Sequence, residues 1–191
     1  MAGMKQPTTS LPTPPFSPAS RGLSLIETMV AVAILGGLLA MAAPSFARIG
    51  ERYRVSGVQQ DLENSLHAAR VEAINRNRAV TVRRIAGCPE ATDPGDWRCG
   101  WESFIDRNRN HQRDPDEPPL SHHEAIPGHR ILLEGPNRDS LTYSPLGRTE
   151  VALQSLTIVP DRPAGAPGSG QRLCLLYGGT RLQVIDIRQA C

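Results

Sequence analysis

A long apolar stretch near the N-terminus constrains this 191-residue chain more than any other feature. Residues 23–43 read LSLIETMVAVAILGGLLAMAA and contain one charged side chain, Glu27. As an α-helix, a stretch of this length rises about 30 Å, the thickness of the hydrocarbon core of a bilayer. A cleaved secretory signal or an ordinary membrane anchor would explain the length, and Ala40–Ala43 loosely resembles a signal-peptidase site. Neither explains Glu27, because a carboxylate inside a membrane costs about 2.5–3.5 kcal/mol.

The residues around Glu27 suggest a reason for that carboxylate. The sequence RGLSLIE at 21–27 has a Gly before an apolar residue and a Glu at the fifth position after the Gly. It closely resembles the type III signal of type IV pilins and pseudopilins, although Leu23 departs mildly from the commoner Phe. The resemblance implies that a prepilin peptidase cleaves after Gly22 and methylates the new N-terminus at Leu23. It also implies that Glu27 pairs with the N-terminal amine of a neighbouring subunit during assembly.

The resemblance and the composition divide the chain into four predicted segments. Residues 1–22, rich in Pro, Ser and Thr, are the leader peptide, and 23–43 are the transmembrane half of an N-terminal helix. Residues 44–76 are the periplasmic half of that helix, and 77–191 are a β-rich globular domain. The expected location is the inner membrane, crossed once, with the C-terminal domain in the periplasm. After assembly, the subunit would be part of the pilus at the cell surface.

Periodic patterns predict the elements that follow the anchor. Apolar residues from Ile49 to Ala73 recur at helical spacing, which predicts that the helix continues to about Asn75 and lays one apolar stripe on a β-sheet. Seven later segments alternate or are rich in β-branched residues, which predicts strands. These strands are Ala79–Ile85, Trp101–Asp106, Arg130–Glu134, Ser140–Tyr143, Ala152–Val159, Arg172–Leu176 and Thr180–Ile187.

The order of several motifs narrows the resemblance. The segment LHAARVEAINRNRAVTVRR at 66–84, GWESFIDRNRN at 100–110, YSPLGR at 143–148 and a Cys-bounded final hairpin are similar to the GspH/FimT family of minor pilins and pseudopilins. The Cys just before Gly-Trp favours the FimT member of a type IV pilus over the GspH member of a type II secretion system. The resemblance implies an α+β, type IV pilin-like fold, in which the long N-terminal helix packs on a small antiparallel β-sheet domain. It implies partners among other pilins or pseudopilins, and no enzymatic activity or cofactor.

Four cysteines, Cys88, Cys99, Cys174 and Cys191, are spaced too widely for a CxxC redox or zinc motif. Two disulfides in an oxidising compartment fit them better. Three pairings are open, and we expect Cys88–Cys99 with Cys174–Cys191 because each of these closes a short segment.

Charge gives no general support for nucleic-acid binding. The formal net charge is +2, but Lys5 and Arg21 lie in a leader without acidic residues. The rest of the chain therefore has 21 − 2 = 19 basic and 19 acidic residues.

Some FimT-like minor pilins bind DNA through a GRxR motif in the last hairpin. The matching GGTR at 178–181 lacks the first Arg. The candidate DNA contacts are therefore Arg181 and its neighbours Arg172 and Arg188.

Two further clusters suggest metals. Residues 106–117 place Asp or Asn at positions 1, 3, 5 and 9 and Glu at position 12 of an EF-hand-like calcium loop, but His111 stands where the motif uses Gly. A polar hairpin between strands is the alternative, and we prefer it. His122, His123, Glu124 and His129 are predicted to lie in a solvated loop, so we predict no metal site. No catalytic set of Ser, His and Asp stands out.

Overall fold

The computed structural model describes residues 24–91, 93–161 and 170–191, with the backbone alone for 42–48. The leader and the cleavage site at Gly22 and Leu23 lie outside these residues. Within the described residues, one helix is followed by eight strands. They are α1 (Leu25–Arg76), β1 (Val80–Arg84), β2 (Trp101–Ile105), β3 (Pro119–His123), β4 (His129–Glu134), β5 (Ser140–Tyr143), β6 (Gln154–Pro160), β7 (Gln171–Leu176) and β8 (Arg181–Asp186).

The chain divides into two compact units, Met1–Ala43 and Pro44–Cys191. In the first unit, the described part of α1 exposes large apolar side chains on every side, from Leu25 to Met41. Among the described residues, no helix combines the length and hydropathy needed to cross a bilayer.

In the second unit, α1 carries a buried apolar stripe. Side chains three or four residues apart lie on one helix face, and the stripe follows this spacing. Its members are Val55, Val58, Leu62, Leu66, Ala69 and Ala73. The helix ends in a Schellman motif: Asn77 has a φ of 50°, its N–H bonds Ile74 O, and Arg78 N–H bonds Ala73 O.

The strands form two antiparallel four-stranded sheets, in the orders β3-β2-β1-β5 and β4-β6-β7-β8. Inward-facing residues of both sheets join the helical stripe in one buried cluster. Trp97, Trp101, Tyr143 and Phe104 have the largest side chains that are fully buried. Burial of this apolar surface provides the main stabilisation of the unit.

The α+β class with a long helix, antiparallel strands and two disulfides is confirmed, with two differences in detail. The strands are shared between two sheets, where one sheet was expected. In addition, β3 was predicted to be a loop. This strand begins with Pro119 and ends with two histidines, a composition with little β-propensity. It forms because it lies at the edge of its sheet, where a proline without an N–H is tolerated.

Candidate functional site: the helix start, the disulfides and the last hairpin

Glu27 lies in the first turn of α1, and its side chain is exposed. Its backbone N–H bonds Ser24 O at 3.1 Å, so the residue is held in helical geometry from the start of the described chain. The surrounding side chains are apolar and exposed, and include Leu25 (80% exposed) and Ile26 (69% exposed). Within the described ranges, no basic group forms an ion pair with Glu27. Its predicted partner, the amine at Leu23 of another subunit, is outside the structure.

Both disulfides are present in the pairing expected from the spacing. Cys88–Cys99 anchors the segment between β1 and β2, and Cys99 is buried. Cys174–Cys191 ties the C-terminal residue to β7. The chain after β8 therefore folds back across its own hairpin.

Two of the three candidate DNA-binding arginines are engaged by acidic neighbours. Arg172 on β7 lies 3.6 Å from a Glu134 carboxylate oxygen and also donates to Gln189 O at 2.9 Å. Arg188 donates to Asp186 at 3.0 Å. Hydrogen bonds from the Arg188 side chain and backbone lower the pKa of Asp186 below its usual value. Both guanidinium groups are therefore less available to a phosphate than the sequence suggests.

Arg181 differs from these two residues. It begins β8, it is exposed, and among the residues that the structure describes no carboxylate pairs with it. The sequence analysis missed a second exposed arginine beside the same turn, Arg148. A Cβ at Gly178 would lie 3.7 Å from Arg148 Cβ, and the next residue, Thr149, donates its N–H to Gly178 O at 2.7 Å. No sequence signal links these segments, because they meet through the packing of two loops.

The structure also explains the missing first Arg of the GRxR pattern. Gly179 has a φ of +71°, and a Cβ there would lie 2.5 Å from Thr149 Cγ2. A side chain would be both strained and in collision at this position. The turn is further held to the helix, because Arg70 donates to Thr180 O at 2.9 Å.

The segment 106–117 forms the polar hairpin between β2 and β3. The carboxylates of Asp106 and Glu117 are buried and accept backbone N–H groups of their own loop. Asp106 accepts from Asn110 and His111, and Glu117 accepts from Arg107 and Asp114. His111 adopts a φ of 60°, the conformation for which the EF-hand motif uses Gly.

The predicted histidine cluster is spread out. His123 stacks on Trp101 with ring centroids 4.1 Å apart, whereas buried His129 lies 3.6 Å from Glu51 on the helix. The expectation of a solvated loop was wrong for His122 and His123, which belong to β3, and for His129, which begins β4 and is buried. In the described part of the chain, no three His, Cys, Asp or Glu side chains are grouped so that they could hold a metal ion.

A buried ionic group, which the sequence analysis also missed, lies under β4. The fully buried Asp96 accepts from the Arg98 side chain at 2.8 Å and from Ile131 N–H at 3.2 Å. Arg98 also donates to Asp161 at 2.9 Å. Burial works to lower the pKa of Arg98, but the hydrogen bonds to Asp161 and Asp96 raise it overall. This buried ionic group connects three parts of the chain: the segment with Asp96 and Arg98, strand β4, and the residue after β6. Its role is structural.

A long N-terminal helix that packs on antiparallel sheets, with two disulfides and an apolar N-terminal extension, defines a pilin-like class of protein. The chain matches the family described as "Type II transport protein GspH" over residues 59–179. It therefore belongs to the GspH family of minor pilins and pseudopilins.

Individual relatives agree with this assignment. The chain is 33% identical over 97 residues to the pilin-like protein PilA1 of Thermus thermophilus, a match that covers 51% of this chain and 55% of that protein. The chain thus spans about half the length of this relative. The type IV minor pilin FimU of Pseudomonas aeruginosa has a similar fold in two crystal forms, with TM-scores of 0.56 and 0.53 and 18% identity. These alignments cover 75% and 71% of this chain and 96% of FimU.

Proposed function

We propose that this chain is a minor pilin of a type IV pilus that takes part in assembling or priming the filament. The observation that most strongly supports this proposal concerns the part of α1 that lies in the first unit. From Leu25 to Met41 its large apolar side chains are exposed, and Glu27 is its one acidic group. A helix that is apolar all round needs a nonpolar environment, which a membrane or the packed helices of a filament would provide.

The proposed sequence of events begins in the inner membrane. A prepilin peptidase cleaves after Gly22 and methylates Leu23, and the unit from Pro44 onward remains in the periplasm, where disulfides persist. On entry into the filament, Glu27 pairs with the N-terminal amine of a neighbouring subunit. Pairing favours entry because an unpaired carboxylate in a nonpolar medium is costly. This is an assembly role without catalysis.

The alternative is a GspH-type minor pseudopilin of the type II protein secretion system. The family description favours this alternative, whereas the FimT-like order of motifs and the fold similarity to a type IV minor pilin favour the pilus. A clean deletion scored for surface pili and for secreted exoproteins separates the two. Loss of pili with normal secretion supports the pilus; the opposite result supports the secretion system.

The variant Glu27→Ala tests the assembly role directly. We expect at least a tenfold loss of the subunit from sheared filaments, because its amine-pairing carboxylate is gone. Membrane-fraction levels and disulfide formation should be unchanged, since Glu27 lies outside the unit that contains the core. Glu90→Ala, at an exposed position beside Cys88, is the matched control and should assemble normally. Normal incorporation of Glu27→Ala would contradict the proposal.

A second candidate function is DNA binding in natural transformation. It is favoured by Arg148 and Arg181, two exposed arginines that border one turn without carboxylate partners among the described residues. Guanidinium groups pair with phosphates, and such binding weakens steeply with salt.

The test titrates the full chain in detergent micelles with duplex DNA at two salt concentrations. We expect Arg148→Ala and Arg181→Ala each to weaken binding several-fold and to reduce its salt dependence. Arg188→Ala, whose side chain is already paired with Asp186, should have a smaller effect. Absence of salt-dependent binding, or equal effects of all three variants, would exclude this site.

A further inference from the structure

Tyr177 begins the turn of the last hairpin in a backbone conformation that is unusual for an aromatic residue. Its φ is 53°, in the left-handed region that bulky side chains rarely adopt. The residue is 76% exposed, whereas Trp97, Trp101 and Tyr143 are fully buried. Glycine adopts this conformation without strain, and an exposed ring contributes little to the stability of the core. Folding alone therefore does not explain why an aromatic side chain occupies this position, and such strain is common at functional sites.

Several contacts fix the backbone that carries this ring. Gly178 donates its N–H to Ala152 O at 3.2 Å, and Thr180 donates its hydroxyl to Tyr177 O at 3.1 Å. Arg70 on α1 donates to Thr180 O at 2.9 Å, which ties the end of the turn to the helix. The turn is thus ordered before any ligand arrives, and a ligand that binds to it does not have to offset the entropy of ordering the backbone.

Two cationic side chains border the ring. Arg181 is paired in register with Leu176, the residue before Tyr177, and Arg148 lies beside Gly178, the residue after it. Both arginines are exposed, and neither has a carboxylate partner in the described part of the chain. An exposed aromatic ring and two guanidinium groups without acidic partners are therefore presented together on one ordered turn and the segment beside it.

Nucleotides offer a flat π face and a phosphate at a short spacing, and these two groups match the ring and the arginines. In duplex DNA the faces of the bases are covered by their neighbours, so an exposed ring meets only the backbone and the groove edges. In a single strand the faces are open, and aromatic side chains stack on them with little regard to sequence.

Resting on the DNA-binding function described above, we propose that this surface binds single-stranded DNA. One base stacks on the ring of Tyr177, and the flanking phosphates pair with Arg148 and Arg181. Arginines alone would bind any strand or duplex through its phosphates, so the contribution of the ring is what distinguishes this proposal.

The test measures binding to the full chain in detergent micelles by fluorescence anisotropy at low and high salt. The probes are a labelled single strand of mixed sequence, its duplex, and a strand of the same length in which tetrahydrofuran abasic sites replace the bases. The abasic strand keeps every phosphate and removes every π face. We expect it to bind at least about fivefold more weakly than the intact strand, the lower limit for the loss of one stacked base.

Substitutions at Tyr177 assign this difference to one ring. Tyr177→Ala should weaken binding of the intact strand by about fivefold or more, and leave binding of the abasic strand and the duplex unchanged. Tyr177→Phe retains the ring and should bind like the wild type. Tyr53→Ala is the matched control, because Tyr53 is 75% exposed and belongs to α1, and it should bind all three probes normally. The denaturation midpoint of Tyr177→Ala should not fall below that of the wild type, because the ring is exposed.

Failure of this inference is distinguishable from failure of DNA binding. Salt-dependent binding of all three probes that is weakened by Arg148→Ala and Arg181→Ala, but not by Tyr177→Ala, would retain the DNA-binding function and overturn the stacking. Equal affinity for the intact and the abasic strand would overturn it as well. An equal loss with all three probes in Tyr177→Ala would show that the side chain only shapes the turn, which also contradicts the proposal. Absence of salt-dependent binding of any probe would contradict both.

Discussion

The two halves of α1 have opposite relations to their surroundings. Between Leu25 and Met41 the large apolar side chains are more than half exposed, as with Leu35 at 58%. Between Val55 and Ala73, a narrow apolar stripe is almost completely buried, and Leu62 and Leu66 are at 0%. One continuous helix therefore contains a segment that the described part of the chain leaves exposed and a segment that forms the centre of a folded core.

The two segments differ in the number of apolar residues as well as in their pattern: 13 of the 17 residues from Leu25 to Met41 are Ala, Val, Ile, Leu or Met, against 8 of the 19 from Val55 to Ala73. In the second half, polar residues separate the apolar ones at helical spacing, so one face can be buried by the sheets and the opposite face remains hydrated. In the first half, apolar residues occupy every face, and no sheet of the same chain could cover all of them. Stability thus depends on the second half, whereas the first half is available for contacts outside the chain.

The largest expected effect comes from truncating the buried stripe. Leu62→Ala should lower the free energy of unfolding by about 2–5 kcal/mol, because it removes buried methyl groups and leaves a cavity. Leu35→Ala, the same change in the exposed half, should alter it by less than about 0.5 kcal/mol. Denaturation in micelles is followed by Trp97 and Trp101 fluorescence, since both tryptophans belong to the second unit. Similar effects of the two variants would invalidate the comparison.

The next effect tests how far the stability of the second unit depends on the disulfide that closes the last hairpin. Replacing both Cys174 and Cys191 by Ser opens a loop with a sequence separation of 17 residues. The unfolded chain gains entropy, so we expect the free energy of unfolding to fall by about 2–4 kcal/mol. Arg188→Ala lies in the same tail, retains the disulfide, and serves as the control in the same fluorescence assay. No loss of stability in the double variant would show that this end of the sheet is dispensable.

The smallest expected effect is a loss of unfolding free energy at alkaline pH, and it involves the second unit alone. Burial raises the pKa of Tyr143 to about 12, although Arg70 works in the opposite direction. An unfolded tyrosine loses its proton near pH 10, so between about pH 10 and 12 the native state retains a proton that the unfolded state has lost. This contribution to the free energy of unfolding is complete below pH 10 and is lost as the pH rises to 12; the loss is at most about 3 kcal/mol.

Tyr143→Phe provides the comparison for that prediction, because it removes the titrating hydroxyl and keeps the ring. Its free energy of unfolding should fall less steeply than that of the wild type between pH 10 and 12. Parallel curves of unfolding free energy against pH for the two proteins would mean that Tyr143 does not contribute to the loss of stability in alkali.

Local sequence patterns were enough for most of the fold, for physical reasons that can be named. The stripe from Val55 to Ala73 follows the helical period, and segments such as Ser140–Tyr143 were predicted with the bounds that the structure has. The pairing of cysteines close in sequence was also predictable, since short loops close readily. The strand β3 was missed because its edge position, which tolerates Pro119 and two histidines, depends on the neighbouring strand β2.

By itself, the sequence determined the apolar first half of α1, the carboxylate at Glu27, the α+β class and the family resemblance. These properties depend on residue type and short-range order, which are complete in the chain before it folds. Tertiary structure decided that Arg172 and Arg188 are engaged, that Arg148 and Arg181 have no carboxylate partner among the described residues, and that Gly179 has no room for a side chain. It also decided that His111 faces Glu150. Apart from the contact between Arg188 and Asp186, which are two residues apart, such relations join segments tens of residues apart, and they arise only when burial of the common core brings those segments together.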